Sequence, residues 1–370
     1  MSNPTEKADT ITLTNTNEFN KPVIYIFVAG IGAVGGTLIE QIESLRHPLF
    51  ELKLLGICNS RFAVWNSDDQ SFEELKAELD CGEPTDWKTI PQRVVEFKQL
   101  NTIFVDATGS VEAAQQYDYL LENGIHIATP SKRGNTFEQT YFNKLKDLSS
   151  YGDAYYRYET SVGAGLPVIS TIRGLIDSGD EITEISGVVS GTMTYLFTQL
   201  EEGKPFSQAV RQAKAEGYSE PDPRDDLSGE DVARKFLILA RTSGYTFERS
   251  ELKVASLVPK PLSATTLEGF LDEFEDCDPY WKERDESAKE KGHVLRYTGT
   301  LTPEGVKVGV REFPSDSPIG GLKGTDNLIQ IRTKRYADSP IIVQGPGAGK
   351  AVTAAGVLAD VIEIARAVSI

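Results

Sequence analysis

The residues with the clearest capacity for chemistry lie in one stretch, GYSEPDPRDDLSGEDVARK, which runs from residue 217 to residue 235. A helix that begins near Ser228 would place Asp231 and Lys235 one turn apart on the same face. One interpretation is structural, a Ser-x-x-Asp cap followed by an i,i+4 ion pair. The other is catalytic, because a lysine that is desolvated or lies near another cation can act as a base near neutral pH.

The loop before this helix favours the catalytic interpretation. In EPDPRDD, two prolines stiffen a segment that holds the carboxylates of Glu220 and Asp226 beside the same helix end. Since no histidine is suitably placed, Lys235 is our first choice for proton transfer. Lys132, which follows the apolar run IHIA and a Thr-Pro turn, is the second, because ligands bind at the carboxyl ends of strands in doubly wound sheets. The alternative for Lys132 is an exposed loop lysine.

A glycine-rich turn near the amino terminus predicts a nucleotide site. The β-branched run PVIYIFVA (22–29) is typical of a strand buried on both faces, and GIGAVGG follows it before a stretch with helical spacing. In G-x-G-x-x-G, the glycines permit a tight turn, close approach of a pyrophosphate and close helix packing, and the helix start offers N–H groups to phosphates. The alternative is a glycine-rich packing turn. The candidate cofactor contacts are Gly30, Gly32, Ala33, Val34 and Gly35.

The second strand of this unit, LKLLGICN (52–59), bears on the choice of cofactor. NAD-selective sites usually end this strand with an acidic residue that binds the ribose. Here the chain has Asn59, Ser60 and Arg61 instead. A guanidinium suits a 2′-phosphate, so NADP is favoured over NAD; alternatively, Arg61 is an exposed loop cation.

The pattern of elements predicts an α/β protein with a Rossmann-type, doubly wound parallel sheet and a second, mixed α/β domain. The second domain contains the predicted strand ITEISGVVS (182–190) and a charged stretch, 259–291, which we interpret as a surface excursion. We expect three parts in the chain. Residues 1–20 form a disordered polar leader, and residues 21–160 together with 340–370 form a dinucleotide-binding domain. Residues 161–339 form a substrate-binding and dimerisation domain.

Composition excludes several classes of function. The formal net charge of -17 repels phosphates at long range, so we expect no nucleic-acid or anionic-membrane partner. The three cysteines and three histidines are scattered and match no transition-metal pattern. No apolar run is long enough to span a bilayer. We therefore expect a soluble, cytoplasmic protein.

Seven motifs, in order along the chain, give the sequence a specific resemblance. They are GIGAVGG, VDATGS (105–110), TPSKRGN (129–135), YETSVGAGLPVI (158–169), SGTMTYLF (190–197), GYSEPDPRDDLSGEDVARK and GPGAGKAVTAAGVLAD (345–360). From about residue 22 onward, the chain resembles the homoserine dehydrogenase family. We expect a monofunctional member, with no aspartate-kinase region before the glycine turn and no regulatory region after Ile370. One departure is Ser131, where many relatives have asparagine.

The resemblance implies an activity: NAD(P)-dependent interconversion of L-homoserine and L-aspartate 4-semialdehyde, on the route to threonine, methionine and isoleucine. It also implies roles for individual residues. Lys235 would be the proton donor and acceptor, and Lys132 would contact cofactor and substrate. Glu220, Asp226 and Asp231 would bind substrate. Further cofactor contacts would be Thr108 and Ser110, alternatively simple turn caps, and Gly217 and Gly349, alternatively ordinary loop glycines.

Two further expectations come from the resemblance alone. Backbone carbonyls of one loop would coordinate a monovalent cation, sodium, at Glu159, Val162, Ala164 and Leu166. A homodimer would form through the sheet that ITEISGVVS begins. Two other functions stay open: another dehydrogenase of an aspartate-derived aldehyde, which would need a cysteine nucleophile, and a non-catalytic NADP(H)-sensing protein.

Overall fold

The computed structural model describes residues 21–66, 69–97 and 101–369. The predicted polar leader, residues 1–20, lies outside them. Within the described residues, a first sheet has seven strands in the order β4-β3-β2-β1-β5-β6-β7. They are β1 (Val23–Ala29), β2 (Glu51–Cys58), β3 (Phe62–Trp65), β4 (Glu83–Pro84), β5 (Thr102–Asp106), β6 (His126–Ala128) and β7 (Tyr156–Arg157).

The first sheet is mostly parallel. β2, β1, β5, β6 and β7 run parallel to one another, and β3 and β4 add an antiparallel edge. The predicted Rossmann-type sheet is therefore confirmed. The helices between these strands are α1 (Ala33–Ser44), α2 (Phe72–Glu78), α3 (Thr89–Glu96), α4 (Val111–Ala114), α5 (Tyr117–Glu122), α6 (Arg133–Thr136) and α7 (Gln139–Tyr151).

The glycine turn packs α1 tightly onto β1. A Cβ at Gly35 would lie 1.8 Å from the carbonyl oxygen of Gly30, so no larger residue fits there. The turn therefore has the close helix–strand packing that the motif predicts, and α1 begins directly above the carboxyl end of the strand.

A second sheet follows, with the order β13-β12-β8-β10-β11-β9 among the described strands. They are β8 (Ile182–Val188), β9 (Lys253–Val254), β10 (His293–Thr302), β11 (Gly305–Pro314), β12 (Asp326–Thr333) and β13 (Ile341–Pro346). β8 lies between β10 and β12 and is antiparallel to both. β10 and β11 form an antiparallel hairpin. The predicted mixed α/β character of this half is confirmed.

The helices of the second half cover this sheet and return to the first. They are α8 (Ile169–Asp177), α9 (Gly191–Glu201), α10 (Phe206–Glu216), α11 (Pro223–Leu227), α12 (Glu230–Thr242), α13 (Leu267–Glu273), α14 (Asp278–Glu290) and α15 (Lys350–Val368). β13 pairs with β12, and α15 then packs beside α1, with Val357 and Val361 in the same buried cluster as Leu38. The chain therefore crosses back to the first sheet after Pro346.

Our interpretation of residues 259–291 as a surface excursion is wrong. This segment forms α13 and α14, and its Phe270, Phe274 and Trp281 are buried in the main hydrophobic cluster. The many charged residues of the segment concealed a narrow apolar face, which these aromatic side chains supply. Across the described residues, we find no helix that is both long and apolar enough to cross a bilayer.

Candidate active site

A cleft of about 750 Å³ opens between the two halves of the structure. Five segments line it: the start of α1, the loop after β6, the loop after β7, the region of α11 and α12, and the loop before α15. Predicted site residues from all five segments meet here. They are Ala33, Val34, Lys132, Ala164, Glu220, Asp226, Asp231, Lys235 and Gly349.

Asp231 joins the two predicted catalytic lysines. Its Oδ2 lies 2.8 Å from Nζ of Lys235, and its Oδ1 lies 3.2 Å from Nζ of Lys132. Lys235 also donates to the carbonyl of Val189 at 2.7 Å, and its side chain is 12% exposed. The ion pair predicted on α12 therefore exists, but it is part of a Lys–Asp–Lys cluster in a cleft rather than a solvated surface pair.

Burial and charge perturb this cluster. Burial lowers the pKa of Lys132, and the nearby Lys235 ammonium lowers it further, against the attraction of Asp231. Burial opposes ionisation of Asp231, but Lys235 and Lys132 outweigh it and hold the pKa of Asp231 well below its usual range. Asp231 is thus a fixed negative charge, and Lys132 is a lysine shifted toward the neutral form that a base requires.

The acidic loop closes one side of the cleft. Oδ2 of Asp226 accepts a hydrogen bond from the backbone N–H of Glu220 at 2.8 Å, which fixes the loop beside α12. Burial raises the pKa of Asp226, and the charges of Glu220 and Asp231 add to this effect. Glu220 itself is exposed at the rim.

The predicted Ser-x-x-Asp cap of α12 is wrong. α12 begins at Glu230 with Gly229 at its N-cap, φ +77°, and Ser228 instead accepts from the Glu230 N–H at 3.2 Å and donates to the Asp225 carbonyl at 2.7 Å. The reason is α11, a short helix within the acidic loop that sequence analysis missed. Its signal was present, because Asp222 caps it and Pro223 occupies its first turn. The left-handed Gly229 makes the turn between the two helices.

Two helix starts face the cleft. Neither α1, which follows Gly32, nor α15, which follows Gly349, is capped by a side chain, and neither has an acidic residue in its first turn. Their backbone N–H groups and the positive ends of their dipoles suit an anionic group such as a pyrophosphate. The residues present therefore fit a dinucleotide.

The loops after β5 and β6 are tied together by a buried network that sequence analysis missed. The Asp106 carboxylate accepts from the N–H and the hydroxyl of Thr108, at 2.8 and 2.6 Å, and from the hydroxyl of Tyr117. Thr129 donates to the Asp106 carbonyl at 2.7 Å and accepts from the Ser131 N–H at 2.9 Å. This network fixes the loop that carries Lys132. The signal for it was a carboxylate at the end of a wholly buried strand.

Several predicted cofactor residues are not among the described residues that line the cleft: Gly30, Gly32, Gly35, Arg61, Thr108, Ser110 and Gly217. Ser110 accepts from the Ala113 N–H at 3.0 Å and caps α4. Arg61 follows β2, is 70% exposed and lies 3.3 Å from Asp80. Gly217 ends α10 with φ +75°. The turn-capping and loop alternatives thus describe contacts that exist, and cofactor contact by these residues stays a prediction.

The predicted cation loop lies beside the cleft. The Glu159 carboxylate accepts from the N–H groups of Ile169 and Ser170, at 2.7 and 2.8 Å, and so caps α8. The Glu159 N–H donates to the Asp360 carboxylate at 3.0 Å. Burial raises the pKa of Asp360 to about 7; the nearby charges of Glu159 and Glu363 add to this shift, and Arg173 opposes it. In the part of the chain that the structure describes, no group of three His, Cys, Asp or Glu side chains is arranged to hold a metal ion.

The backbone of this loop has unusual geometry. Gly163 and Ala164 both have positive φ, +79° and +52°, and Val162 is fully buried. The buried hydroxyl of Thr160 has no hydrogen-bond partner among the described residues. By contrast, the Leu166 carbonyl already accepts from Val168 at 2.9 Å.

Other residues line the cleft that sequence analysis did not single out. Among them are the cations Arg234 and Lys350 and the hydroxyl of Thr353. Lys350 directly follows the GPGAG turn, so its position beside a predicted nucleotide contact was the available signal.

Comparison with known proteins decides the family. Residues 167–362 match the family model described as homoserine dehydrogenase, and residues 30–159 match the model described as homoserine dehydrogenase, NAD binding domain. The chain belongs to the homoserine dehydrogenase family. The predicted resemblance is therefore confirmed.

Relatives of this family differ in length. A homoserine dehydrogenase of Paracoccidioides brasiliensis is 36% identical over 92% of this chain and 97% of its own length. The chloroplastic bifunctional aspartokinase/homoserine dehydrogenase 1 of Zea mays is 39% identical over 93% of this chain. The chain spans only 39% of that protein's length, and 43% of the bifunctional relative in Haemophilus influenzae.

Solved structures superpose over nearly the whole chain. A protein of unknown function from Candida auris has a TM-score of 0.86 at 36% identity, covering 93% of this chain and 98% of its own. A hyperthermophilic archaeal homoserine dehydrogenase in complex with NADPH has a TM-score of 0.71 at 27% identity, covering 92% and 97%.

Proposed function

We propose that this chain interconverts L-homoserine and L-aspartate 4-semialdehyde with a nicotinamide dinucleotide. The observation that carries the proposal is the Lys132–Asp231–Lys235 cluster, which lies in the same cleft as two uncapped helix starts. Family membership supports the reaction class.

The starts of α1 and α15 would hold the phosphates of the dinucleotide. When bound, the nicotinamide supplies the acceptor or donor of a hydride. NADP is favoured over NAD because Arg61 stands at the end of β2, where an acidic residue would bind an unphosphorylated ribose.

Lys235 is the proposed proton carrier. Asp231 and the Val189 carbonyl hold its Nζ in place, so the amine is oriented before substrate binds. Lys132 is the second candidate, and its lowered pKa suits it either to share the proton or to polarise the carbonyl oxygen. Glu220 and Asp226 line the same cleft, in the loop beside α12, and would bind the substrate ammonium.

A sodium ion, if held, would take its ligands from backbone carbonyls of Glu159, Val162, Ala164 and Leu166. The positive φ at Ala164 and the unpartnered Thr160 hydroxyl support this location. Glu159 would contribute its carbonyl, because its carboxylate is bonded to the start of α8.

The chemistry of the cysteines speaks against the alternative aldehyde dehydrogenase. That reaction needs a thiolate beside a base. Cys58 is fully buried, and burial raises the pKa of its thiol to about 12. Of the described residues that line the cleft, none is a cysteine.

The decisive experiment replaces Lys235 with methionine and follows nicotinamide absorbance with homoserine and with the semialdehyde. We expect kcat to fall by about 10²–10⁴-fold, because general acid–base catalysis contributes that much. The matched control is Lys289→Met. Lys289 also pairs with an aspartate four residues earlier, Asp285, and also donates to a backbone carbonyl, that of Glu201.

Near-normal turnover in Lys235→Met would refute the assignment of this lysine. A wild-type protein that binds NADPH yet gives no absorbance change with either substrate would refute the activity and favour the sensing protein.

A further inference from the structure

A second cavity, of about 260 Å³, lies between α7, β7, α8 and the end of α12. No described residue lines both this cavity and the catalytic cleft. Its walls carry the aromatic rings of Phe142, Tyr156 and Tyr158 and several cationic side chains. We call it the arginine pocket, after Arg157 and Arg173.

Arg173 lines this pocket without a directly paired carboxylate among the described residues. Its guanidinium lies 4.5 Å from the centre of the Tyr158 ring and donates to the Tyr156 carbonyl at 3.5 Å. Among the described residues, no carboxylate oxygen lies within 4 Å of its nitrogens. Tyr158 also hydrogen-bonds to it, and the charges of Asp360 and Glu159 attract it, but a guanidinium has five N–H donors and can bind a further acceptor.

Arg157 also lines the pocket. Its Nη2 lies 3.1 Å from Glu363, but its Nε is buried and has no hydrogen-bond partner among the described residues. A buried donor without an acceptor costs free energy, so such an atom marks a place where an acceptor is missing. Lys146, exposed at the rim, adds a third cation.

This arrangement is unusual in a chain with a net charge of -17. The fully buried Arg296 is paired with Glu201, and Arg241, which also lines the pocket, is paired with Glu248. Arg241 further donates to three backbone carbonyls, so it contributes charge to the pocket but no free donor. Of the described lining residues, Asp177 is the one acid, and it is exposed.

We propose that the arginine pocket binds a small organic anion whose carboxylate or phosphate group pairs with Arg157 and Arg173. Guanidinium groups bind both kinds of oxyanion through paired, charge-assisted hydrogen bonds. The ring of Phe142 offers an apolar surface for the rest of the ligand. Since a water molecule takes about 30 Å³, the volume admits a compact acid of a few carbon atoms rather than a nucleotide.

The pocket is one helix away from the catalytic cleft. Arg173 lies on α8, and the first N–H groups of α8 bind the Glu159 carboxylate. Residues that directly follow Glu159 line the cleft. An anion bound at Arg173 therefore acts on the element that anchors one wall of the cleft.

The test is calorimetric titration of the full chain with malonate and, separately, with inorganic phosphate. NADPH is kept at saturation so that phosphate sites in the cleft are filled. We expect one ion per chain; heat with malonate identifies a carboxylate ligand, and heat with phosphate identifies a phosphate ligand. Arg173→Met removes one charge-assisted hydrogen bond, and Ser150→Asp adds a negative charge at the pocket lining that repels the anion. Each should weaken binding at least about tenfold.

Ser44→Asp is the control, because Ser44 is an exposed serine at the last turn of another helix, α1. It should bind the anion as the wild type does. Equal affinity in Ser150→Asp and the wild type would place the anion elsewhere and overturn the proposal, as would no heat with either probe at millimolar concentration. If Arg173→Met does not fold, Ser150→Asp decides alone.

Discussion

At the scale of single residues, the site depends on one carboxylate that holds two ammonium groups. Asp231 attracts both lysines, so each is oriented, while burial and mutual repulsion push the pKa of Lys132 down. Two cations beside one anion leave a net positive charge, which suits a substrate or cofactor that brings negative charge. The cluster thus combines orientation with a lysine shifted toward its basic form.

The expected preference for NADP over NAD depends on a single residue, Arg61. We expect Arg61→Ala to raise KM for NADPH by about tenfold and to leave KM for NADH unchanged, because a charge-assisted contact to the 2′-phosphate is lost. Initial rates with both cofactors measure this. Arg46→Ala is the control, since Arg46 is bonded to carbonyls at the end of α1. An equal effect on both cofactors would contradict the prediction.

At the scale of elements, the junction of α11 and α12 positions Asp231 and Lys235. Gly229 turns the chain between the two helices, and a Cβ there would lie 1.9 Å from the Tyr297 hydroxyl oxygen. The start of α12, and with it the Lys132–Asp231–Lys235 cluster, therefore depends on one residue that has no side chain.

Gly229→Ala tests this junction. We expect the free energy of unfolding to fall by more than about 2 kcal/mol, since both the positive φ and the overlap with Tyr297 are unfavourable. Gly217→Ala is the matched control: its φ is also positive, +75°, but a Cβ there meets nothing within 4 Å. Gly217→Ala should lower the free energy of unfolding by about 1 kcal/mol. Urea unfolding of both variants gives the comparison, and equal losses would mean that the overlap with Tyr297 is relieved.

A second element-scale contact joins α15 to the loop that begins at Glu159. Asp360 accepts from the Glu159 N–H, and burial raises its pKa to about 7, above the usual value of about 3.9. The folded state therefore holds a proton more tightly than the unfolded state. This contribution to stability is fully present below pH 4 and is lost as pH rises through 7.

Asp360→Asn should remove that loss. We expect the free energy of unfolding of the variant, measured relative to that of the wild type, to be a few kcal/mol more favourable to folding at pH 8.5 than at pH 5. Urea unfolding at the two pH values measures it, with Asp338→Asn, a change at an exposed carboxyl, as the control. A relative stability that does not change with pH would contradict the shifted pKa.

At the scale of the whole molecule, the second sheet leaves β13 as an edge strand with Ile342 exposed. β8, which begins the sheet through which we expect the homodimer, is paired along both edges, with β10 and β12. Pairing between copies would therefore use an edge or a face of this sheet rather than β8 itself. Unpaired strand edges with apolar side chains favour such association.

We expect the chain to form a homodimer through this sheet. Light scattering should give twice the mass of one chain, and Ile342→Asp should shift the population toward monomer. Tyr151→Asp is the control, because Tyr151 is 90% exposed on α7, in the other half of the structure. A wild-type protein that is monomeric at micromolar concentration would contradict the expectation.

Local patterns in the sequence were sufficient for most of the elements and for the nucleotide turn. Strand β1 and the glycines after it are recognisable because burial on both faces and a tight turn each restrict residue type over a few neighbouring positions. The i,i+4 spacing of Asp231 and Lys235 is likewise a local property. The same local patterns missed α11 and misplaced the cap of α12, since Ser228 fits a cap equally well and only its neighbours exclude it.

The tertiary structure alone decided which distant groups meet. Lys132 reaches Asp231 because the loop after β6 and the start of α12 pack at one cleft, and no periodicity in the sequence encodes that contact. Packing between segments far apart in the chain also buries Asp106 and Asp360, and this burial shifts their pKa values. The same kind of packing forms the arginine pocket. Spacing along the chain determines local geometry, whereas the environment of a charge depends on everything that surrounds it in space.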